Sequence, residues 1–271
     1  MQKEFPLACP VCRQALTVCG KTYRCRNSHS FDVARQGYLN LLTVQNMPSK
    51  NPGDAKEMLI ARRSFLSGGY YLPIAEHAAE MINRHGADHP IIADIGCGEG
   101  YYTWQLERLC GADCIGADIS KEGARMCCMR SKSIMWIVAN AGDLPLQSES
   151  IDVVTAVFSL FHQSEYLRVL KKGGIFVEIS AGSHHLTELK QLIYDEVFEQ
   201  HKQPAPAGDG FETVSVSEES FEISPGEEAL HQLLDMTPHS RRIRAENRDN
   251  INNAGGMKIT VDYIIRVLRK K

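Results

Sequence analysis

Asp94-Ile95-Gly96-Cys97-Gly98-Glu99-Gly100 follows the apolar run Ile91-Ile92-Ala93 and leads into a segment with helical periodicity. A buried strand running into three closely spaced glycines and then a helix is a setting in which backbone approaches a nucleotide-like ligand. The spacing is Gly-x-Gly-x-Gly, so the third glycine of the dinucleotide fingerprint is missing. A pyrophosphate favours a helix N-terminus free of acidic groups. Asp94 and Glu99 beside the loop instead suit a cationic ligand such as S-adenosylmethionine, whose sulfonium and amino groups are positive.

The flanking sequence keeps the same order. Asp118 lies twenty residues after Gly98 at the end of the next expected strand, where a carboxylate can accept ribose hydroxyls. Asn140-Ala141-Gly142-Asp143-Leu144-Pro145 follows the third strand and forms a loop suited to reading an adenine edge. The periodicity predicts helices over 55–67 and 73–84, then strand 91–95, helix 100–109, strand 114–119, helix 121–130, strand 135–139, strand 151–158, helix 164–170 and strand 174–180. Helix 185–200, a mobile stretch 202–210, strand 211–216, helix 226–234 and a late strand 258–268 complete the chain. Such alternation predicts an α/β fold, a parallel sheet with helices on both faces, and the strand, glycine loop, acidic residue and third loop in this order make it a Rossmann-like sheet of the methyltransferase type.

The first forty residues read as a separate unit. Cys9-Pro10-Val11-Cys12 is followed by Cys25 and His29. A Cys-x-x-Cys turn and a second hairpin together present a Cys3His set for one tetrahedral zinc ion. So short a segment cannot bury enough core to fold alone, and metal binding supplies the missing free energy. Cys19 competes for the site, but its spacing to Cys25 pairs less naturally. A redox Cys-x-x-Cys would open a helix in a thioredoxin-like unit, and none is evident. Four protein ligands leave no open position for chemistry. Arg13, Lys21, Arg24, Arg26 and Arg35 surround the ligands with Tyr23, Phe31 and Tyr38 interleaved, a mixture that grips phosphates and stacks on bases. For each aromatic alone, packing the small unit is the simpler role.

The whole chain has 271 residues, 43% apolar and 23% charged, enough for a large core. No run approaches the ~20 apolar residues of a membrane span, and the first ten residues lack a signal-type apolar stretch. A cytoplasmic location is expected. The net charge is −3, but it is segregated: residues 1–63 and 241–271 each carry +6 and the middle carries −15. Any polyanion is expected to dock locally, at the basic ends. Nine cysteines, an odd number without an export signal, argue against a disulfide framework.

Taken together, the glycine loop, the Leu144-Pro145 loop and Tyr166-Leu167-Arg168-Val169-Leu170-Lys171-Lys172-Gly173-Gly174 resemble class I S-adenosylmethionine-dependent methyltransferases. With the finger ahead of them, the chain resembles the RlmA (RrmA) family of 23S rRNA guanine-N1 methyltransferases. The resemblance includes Phe31-Asp32, Gly37-Tyr38-Leu39-Asn40-Leu41-Leu42, Pro52-Gly53-Asp54, Ala61-Arg62-Arg63-Ser64-Phe65-Leu66, Gly69-Tyr70-Tyr71, Gly96 to Thr103, and His185-Leu186 through Glu188-Leu189-Lys190. It implies one structural zinc on Cys9, Cys12, Cys25 and His29. It also implies donor contacts from Tyr71, the Gly98-Glu99 turn and His185, with Asp118 on the ribose. Asp94, Gly96 and Asn140 complete the expected donor site, although Asn140 stands where many class I enzymes carry Asp. The segment His239-Ser240-Arg241-Arg242 lacks the Trp the family leads one to expect.

The implied reaction transfers a methyl group to N1 of a guanine in the helix 35 hairpin of 23S rRNA, and the implied assembly is a homodimer. The expected division is a zinc-binding, RNA-recognition unit at 1–40, a linker and helical connection at 41–84, and the methyltransferase domain at 85–271. Guanine N1 carries a proton at neutral pH, so His162 is the candidate base, with Phe158 or Phe161 as a stacking platform. Two alternatives stay open from the residues alone. One is a small-molecule methyltransferase whose finger is structural, and the other is an RNA-binding protein without activity.

Overall fold

The computed structural model describes residues 3–47, 52–194, 206–241, 243, 245–252 and 254–271. Strands β1 (Thr17–Cys19), β2 (Thr22–Arg24) and β3 (Ser30–Asp32) form a small antiparallel sheet, and β4 (Leu39–Asn40) leaves it for a second one. Helices α1 (Lys56–Ser67) and α2 (Leu72–His85) follow. Then come β5 (Ile91–Ile95), α3 (Tyr101–Cys110), β6 (Asp113–Asp118), α4 (Lys121–Arg130) and β7 (Met135–Val138). After these lie β8 (Ile151–Val157), α5 (Gln163–Val169), β9 (Leu170–Ala181) and α6 (Thr187–Ile193). The chain ends with β10 (Phe211–Ile223), α7 (Glu227–Asp235), α8 (Ala245–Asn252) and β11 (Ile259–Lys270).

Local chemistry sets the helix ends that flank the loop. The Ser120 hydroxyl accepts from the Gly123 amide 3.1 Å away and caps α4. Gly100 and Gly111, both left-handed, bound α3. The large sheet has the order β10-β11-β9-β8-β5-β6-β7-β4, parallel from β4 through β9 and antiparallel for β11 and β10. After β5 the chain runs outward through β6 and β7, then returns to lay β8 on the other side of β5. The C-terminal end of β5 is therefore a topological switch point, where open α/β sheets bind ligands.

Strand residues alternate between two cores. Ile92, Cys114, Trp136, Val138, Val153, Ile175 and Val177 face one core, shared with Phe65, Ile74, Ile82 and Leu106 of α1 to α3 and Leu230 and Leu233 of α7. Ala93, Ile95, Ile115, Ala117, Ile137, Val154 and Phe176 face the other, shared with Tyr166 and Val169 of α5. Over β6 and β7 this second core is closed by Phe5, Leu7, Leu16 and Tyr23 of the N-terminal unit. Backbone bonds continue the contact, Ala8 N to Pro145 O at 2.8 Å and Gln147 N to Pro6 O at 2.9 Å.

The expected elements are present with shifted ends. The strand expected at 211–216 continues to Ile223, because this sheet-edge segment is rich in Ser and Glu and shows little apolar alternation. The helix expected at 185–200 begins at Thr187 and is described to Ile193, and 195–200 lie outside the described residues. So do 202–205 of the expected mobile stretch, whose remainder turns into β10, and 48–51 of the expected connection 41–84. That connection contains a 3-10 turn, Val44–Asn46. Helix α8 was not foreseen, since its sequence Ala-Glu-Asn-Arg-Asp-Asn-Ile-Asn carries no apolar stripe.

Leu7 is fully buried whereas Val11 in the same unit is 58% exposed. Leu7→Ala should therefore cost about 3 kcal/mol in urea-induced unfolding of the whole chain, and Val11→Ala little. Equal small effects would mean that the N-terminal unit does not share the core of the sheet.

Candidate functional site

The glycine loop is shaped by two carboxylates, the buried Asp94 and the partly exposed Asp118. Asp94 accepts the hydroxyls of Thr103 (2.5 Å) and Thr155 (2.8 Å), tying β5 to α3 and β8. Burial pushes its pKa up to about 6 against the pull of those two donors. Asp118 accepts the amide of Gly98 on one oxygen and that of Ser120 on the other, each at 2.8 Å. Burial raises its pKa too, while the same two amides act in the opposite direction. Gly96 at φ +78° leaves no room for a side chain, since a Cβ there would stand 2.1 Å from the Ser159 hydroxyl. Gly98, also left-handed at φ +58°, takes the Cys127 thiol on its carbonyl at 3.3 Å.

A cavity of about 1250 Å³ opens over this loop. Its floor is the ends of the parallel strands, from Gly96, Cys97, Gly98 and Glu99 through Asp118 and Asn140 to Phe158 and Ser180. Its walls come from the connection before the sheet, Asp54, Arg62 and Tyr71, and from Met236, Thr237, Pro238 and His239 after α7. The volume exceeds the ~300–1000 Å³ of an ordinary small-molecule cleft and leaves room for a second reactant. Of the charged side chains around it, Asp54 and Arg62 pair with each other at 2.6 Å. Glu99 pairs with Arg130 behind the lining, so among the described residues Asp118 is the lining carboxylate left without an ion pair, and the lining itself is net acidic.

Glu99 is fully buried and receives Arg130 on Oε2, while its Oε1 has no partner. The hydroxyls of Tyr71, Tyr101 and Tyr102 are likewise buried and unpaired. Orphaned buried polar atoms are costly and point to a site where a ligand can complete them. One carboxylate oxygen and three hydroxyls beside an acidic cavity fit a ligand with an ammonium and a sulfonium group. Asp118 keeps further lone pairs for ribose hydroxyls.

The sequence-derived site residues fall into three places. Tyr71, Gly96, Gly98, Glu99, Asp118, Asn140, His162 and His185 line the cavity. Asp94 lies beneath the loop, outside the lining, with both oxygens on threonine hydroxyls. Cys9, Cys12, Cys25 and His29 form a separate cluster. Within the cavity, Asn140 spends its side chain on the protein, donating to Asn46 O at 3.1 Å and accepting from Gly142 N at 2.8 Å.

His185 Nδ1 lies 2.8 Å from the Asp262 carbonyl, which only accepts, so this nitrogen carries the proton. Burial lowers the pKa of the ring to about 4, leaving a neutral imidazole with Nε2 as an acceptor. Phe158, left-handed at φ +51° and 40% exposed, tilts over His185 with ring centres 5.5 Å apart. Phe161 instead stacks on Phe176 at 5.1 Å within the core, which separates two phenylalanines that sequence left equivalent. His162 precedes α5, edge-on to Tyr166. Sequence reasoning did not place Asp54, Arg62 or Met236–His239 at the donor site. The Pro52-Gly53-Asp54 string was visible, but only the fold brings it over the loop.

In the N-terminal cluster the four ligating atoms all lie within 4.8 Å of one another. Cys12 Sγ is 3.6 Å from Cys25 Sγ, and His29 Nδ1 is 3.6 Å from Cys9 Sγ and 3.4 Å from Cys25 Sγ. A tetrahedron with Zn–S near 2.3 Å and Zn–N near 2.0 Å has edges of roughly 3.5–3.8 Å, so the set fits zinc. The Gln14 amide, aided by the neighbouring ligands, lowers the Cys12 pKa to about 6. Cys19 sits exposed on β1, outside the cluster. Tyr23 and Tyr38 are buried, Lys21, Arg24, Arg26 and Arg35 face solvent, and Arg13 is ion-paired to Asp143.

Loop, carboxylate and acidic cavity at the switch point define a class I S-adenosylmethionine-dependent methyltransferase with an N-terminal zinc ribbon. Residues 7–50 match the N-terminal zinc-ribbon family of RlmA and residues 93–177 a methyltransferase domain family. The 23S rRNA (guanine(748)-N(1))-methyltransferase of Streptomyces fradiae is 32% identical over 241 residues, 86% of this chain and 85% of that one. YxjB of Bacillus subtilis, provisionally named a 23S rRNA (guanine-N(1)-)-methyltransferase, is 30% identical over 276 residues, 96% and 95% of the two chains. A type II methyltransferase, provisionally so named, from Anaeromyxobacter dehalogenans shares the fold at a TM-score of 0.52 and 19% identity, over 72% of this chain and 95% of that one. The chain belongs to the 23S rRNA (guanine-N1)-methyltransferase family.

Metal analysis of the purified protein should find one zinc per chain. Cys25→Ser should abolish it and lower the melting temperature, whereas Cys19→Ser should retain both zinc and stability. Loss of zinc in Cys19→Ser would place the wrong thiol in the site.

Proposed function

We propose that the protein transfers the methyl group of S-adenosylmethionine to N1 of a guanine in the helix 35 hairpin of 23S rRNA. The observation that carries this is the acidic cavity with orphaned Glu99, Tyr71 and Tyr102 atoms at the switch point, joined to a cation-bearing zinc ribbon. When bound, the donor supplies an electrophilic methyl group on sulfur, and S-adenosylhomocysteine leaves. Asp118 holds the ribose, Glu99 and Tyr71 the amino-acid end, and His185 Nε2 accepts a hydrogen bond. Asp94 acts from below by fixing the loop. Much of the rate comes from holding N1 and the methyl group in line.

Guanine N1 lies on the Watson–Crick edge, so the base must be unpaired or flipped to enter. Phe158, half-exposed beside Tyr71 and His185, is placed to stack on it. His162, across the cavity, takes the N1 proton. The zinc ribbon at 1–40 recognises RNA, its exposed Lys21, Arg24, Arg26 and Arg35 meeting phosphates. Residues 41–84 are the linker and helical connection, from which Asp54, Arg62 and Tyr71 wall the donor site, and 85–271 form the catalytic domain. Among the described residues no helix is long and apolar enough to cross a membrane. A cytoplasmic homodimer presenting two ribbons to one RNA is part of the same reading.

Primer extension on protein-free 23S rRNA after incubation with protein and donor tests it. A methyl on guanine N1 should halt reverse transcriptase one nucleotide before the base, in helix 35 and only with donor present. In single turnover, His162→Ala should lower the rate about a hundredfold or more. No stop, with donor consumed only when small molecules are supplied, would contradict the RNA assignment. An unchanged His162→Ala rate would remove that residue from the chemistry.

A further inference from the structure

One cation of the zinc ribbon is held by the methyltransferase sheet in an ion pair with Asp143. Arg13 follows Cys12 directly and is left-handed at φ +61°, a conformation that costs a non-glycine residue about 1 kcal/mol or more. The metal-ligand turn holds it there. The Arg13 amide donates to Cys9 O and the Cys9 amide to Gln14 O, each at 2.8 Å. The guanidinium then crosses to the methyltransferase sheet. It ion-pairs with Asp143 and donates to the Leu144 carbonyl at 3.0 Å, a carbonyl that Arg168 also holds at 2.8 Å.

Asp143 passes the contact on. Its second oxygen accepts from Asn46 Nδ2 at 2.5 Å, and the Asn46 carbonyl accepts from Asn140 Nδ2 at 3.1 Å. Asn140 lines the donor cavity on the loop after β7. An unbroken chain of polar contacts therefore runs from the zinc ligands through Arg13, Asp143 and Asn46 to Asn140. The Arg13–Asp143 pair is partly exposed, with side chains 43% and 33% accessible, so it adds little to stability. Its value is geometric, because a guanidinium fork fixed at one end sets the position of what it grips.

We propose that Arg13 is a positioning residue that couples zinc binding to methyl-donor binding by fixing the Asn140–Leu144 loop. The inference rests on the donor occupying the cavity described above. With zinc bound, the turn holds Arg13 in its left-handed conformation and the loop stays in its donor-competent form. Without that restraint the loop spends only a fraction of its time competent, and the apparent donor affinity falls by that fraction. Coupling is reciprocal, so bound donor or product also tightens zinc.

Calorimetric titration of S-adenosylhomocysteine into the zinc-loaded full chain tests this. Arg13→Met should weaken binding about fivefold to tenfold with zinc content unchanged. Asp143→Asn, which leaves the zinc turn intact, should weaken it similarly, and the double variant no further. Arg24→Met, which removes an exposed ribbon cation, should bind as the parent does. In competition with a chelator, saturating S-adenosylhomocysteine should raise zinc affinity in the parent and in Arg24→Met, but not in Arg13→Met.

Parent-like binding of S-adenosylhomocysteine by Arg13→Met or Asp143→Asn would overturn the coupling. So would a loss confined to RNA affinity, which would make Arg13 a phosphate contact. Should Arg13→Met lose zinc outright, Asp143→Asn decides alone. Failure of the parent itself to bind S-adenosylhomocysteine would sink the donor assignment rather than the coupling.

Discussion

Asp118 stands at the end of β6 with a glycine-loop amide on one oxygen and the first turn toward α4 on the other. Almost every feature of the cavity depends on that arrangement. A carboxylate drawn partly out of water needs hydrogen-bond partners, and the two amides supply them while fixing the loop. Asp94 repeats the logic one strand away, but its threonine partners lie inside the protein. One carboxylate thus faces the cavity and the other holds the loop up from beneath. The left-handed glycines between them bring backbone where side chains would block the approach.

The zinc ribbon is more than an appendage to the sheet. Its Leu7, Leu16 and Tyr23 close the second face of the sheet over β6 and β7, where a helix would otherwise be needed. A short segment with too small a core of its own gains one by sharing that of its neighbour, and the metal fixes the surface it presents. The ribbon and the methyltransferase sheet are joined in this way through packing as well as through covalent connection. The ribbon's solvent-facing cations remain free for a polyanion, and its inward-facing arginine is committed to the protein.

The sequence made much of this legible. Cys9, Cys12, Cys25 and His29 were readable because metal-ligand spacing is local, and Gly96, Gly98 and Asp118 because each follows a strand end. Order along the chain could not separate Phe158 from Phe161, since both are apolar and three residues apart. The backbone at Phe158 turns left-handed and exposes one ring, while the other stacks on Phe176. Arg13 read as one more phosphate-binding cation, because its partner Asp143 lies 130 positions downstream and only the fold joins them. Asp54 and Met236–His239 were silent for the same reason, as cavity walls are assembled from segments that share no local pattern.

The central claim is that this loop and its aspartate form the methyl-donor site. Calorimetric binding of S-adenosylhomocysteine to the parent and to Asp118→Ala, with melting temperature recorded for both, tests it most directly. The account predicts stoichiometric binding by the parent and a loss of at least tenfold in the variant, because the ribose acceptor and the Gly98 anchor disappear together. Equal affinity in a folded Asp118→Ala protein would contradict it and place the donor elsewhere.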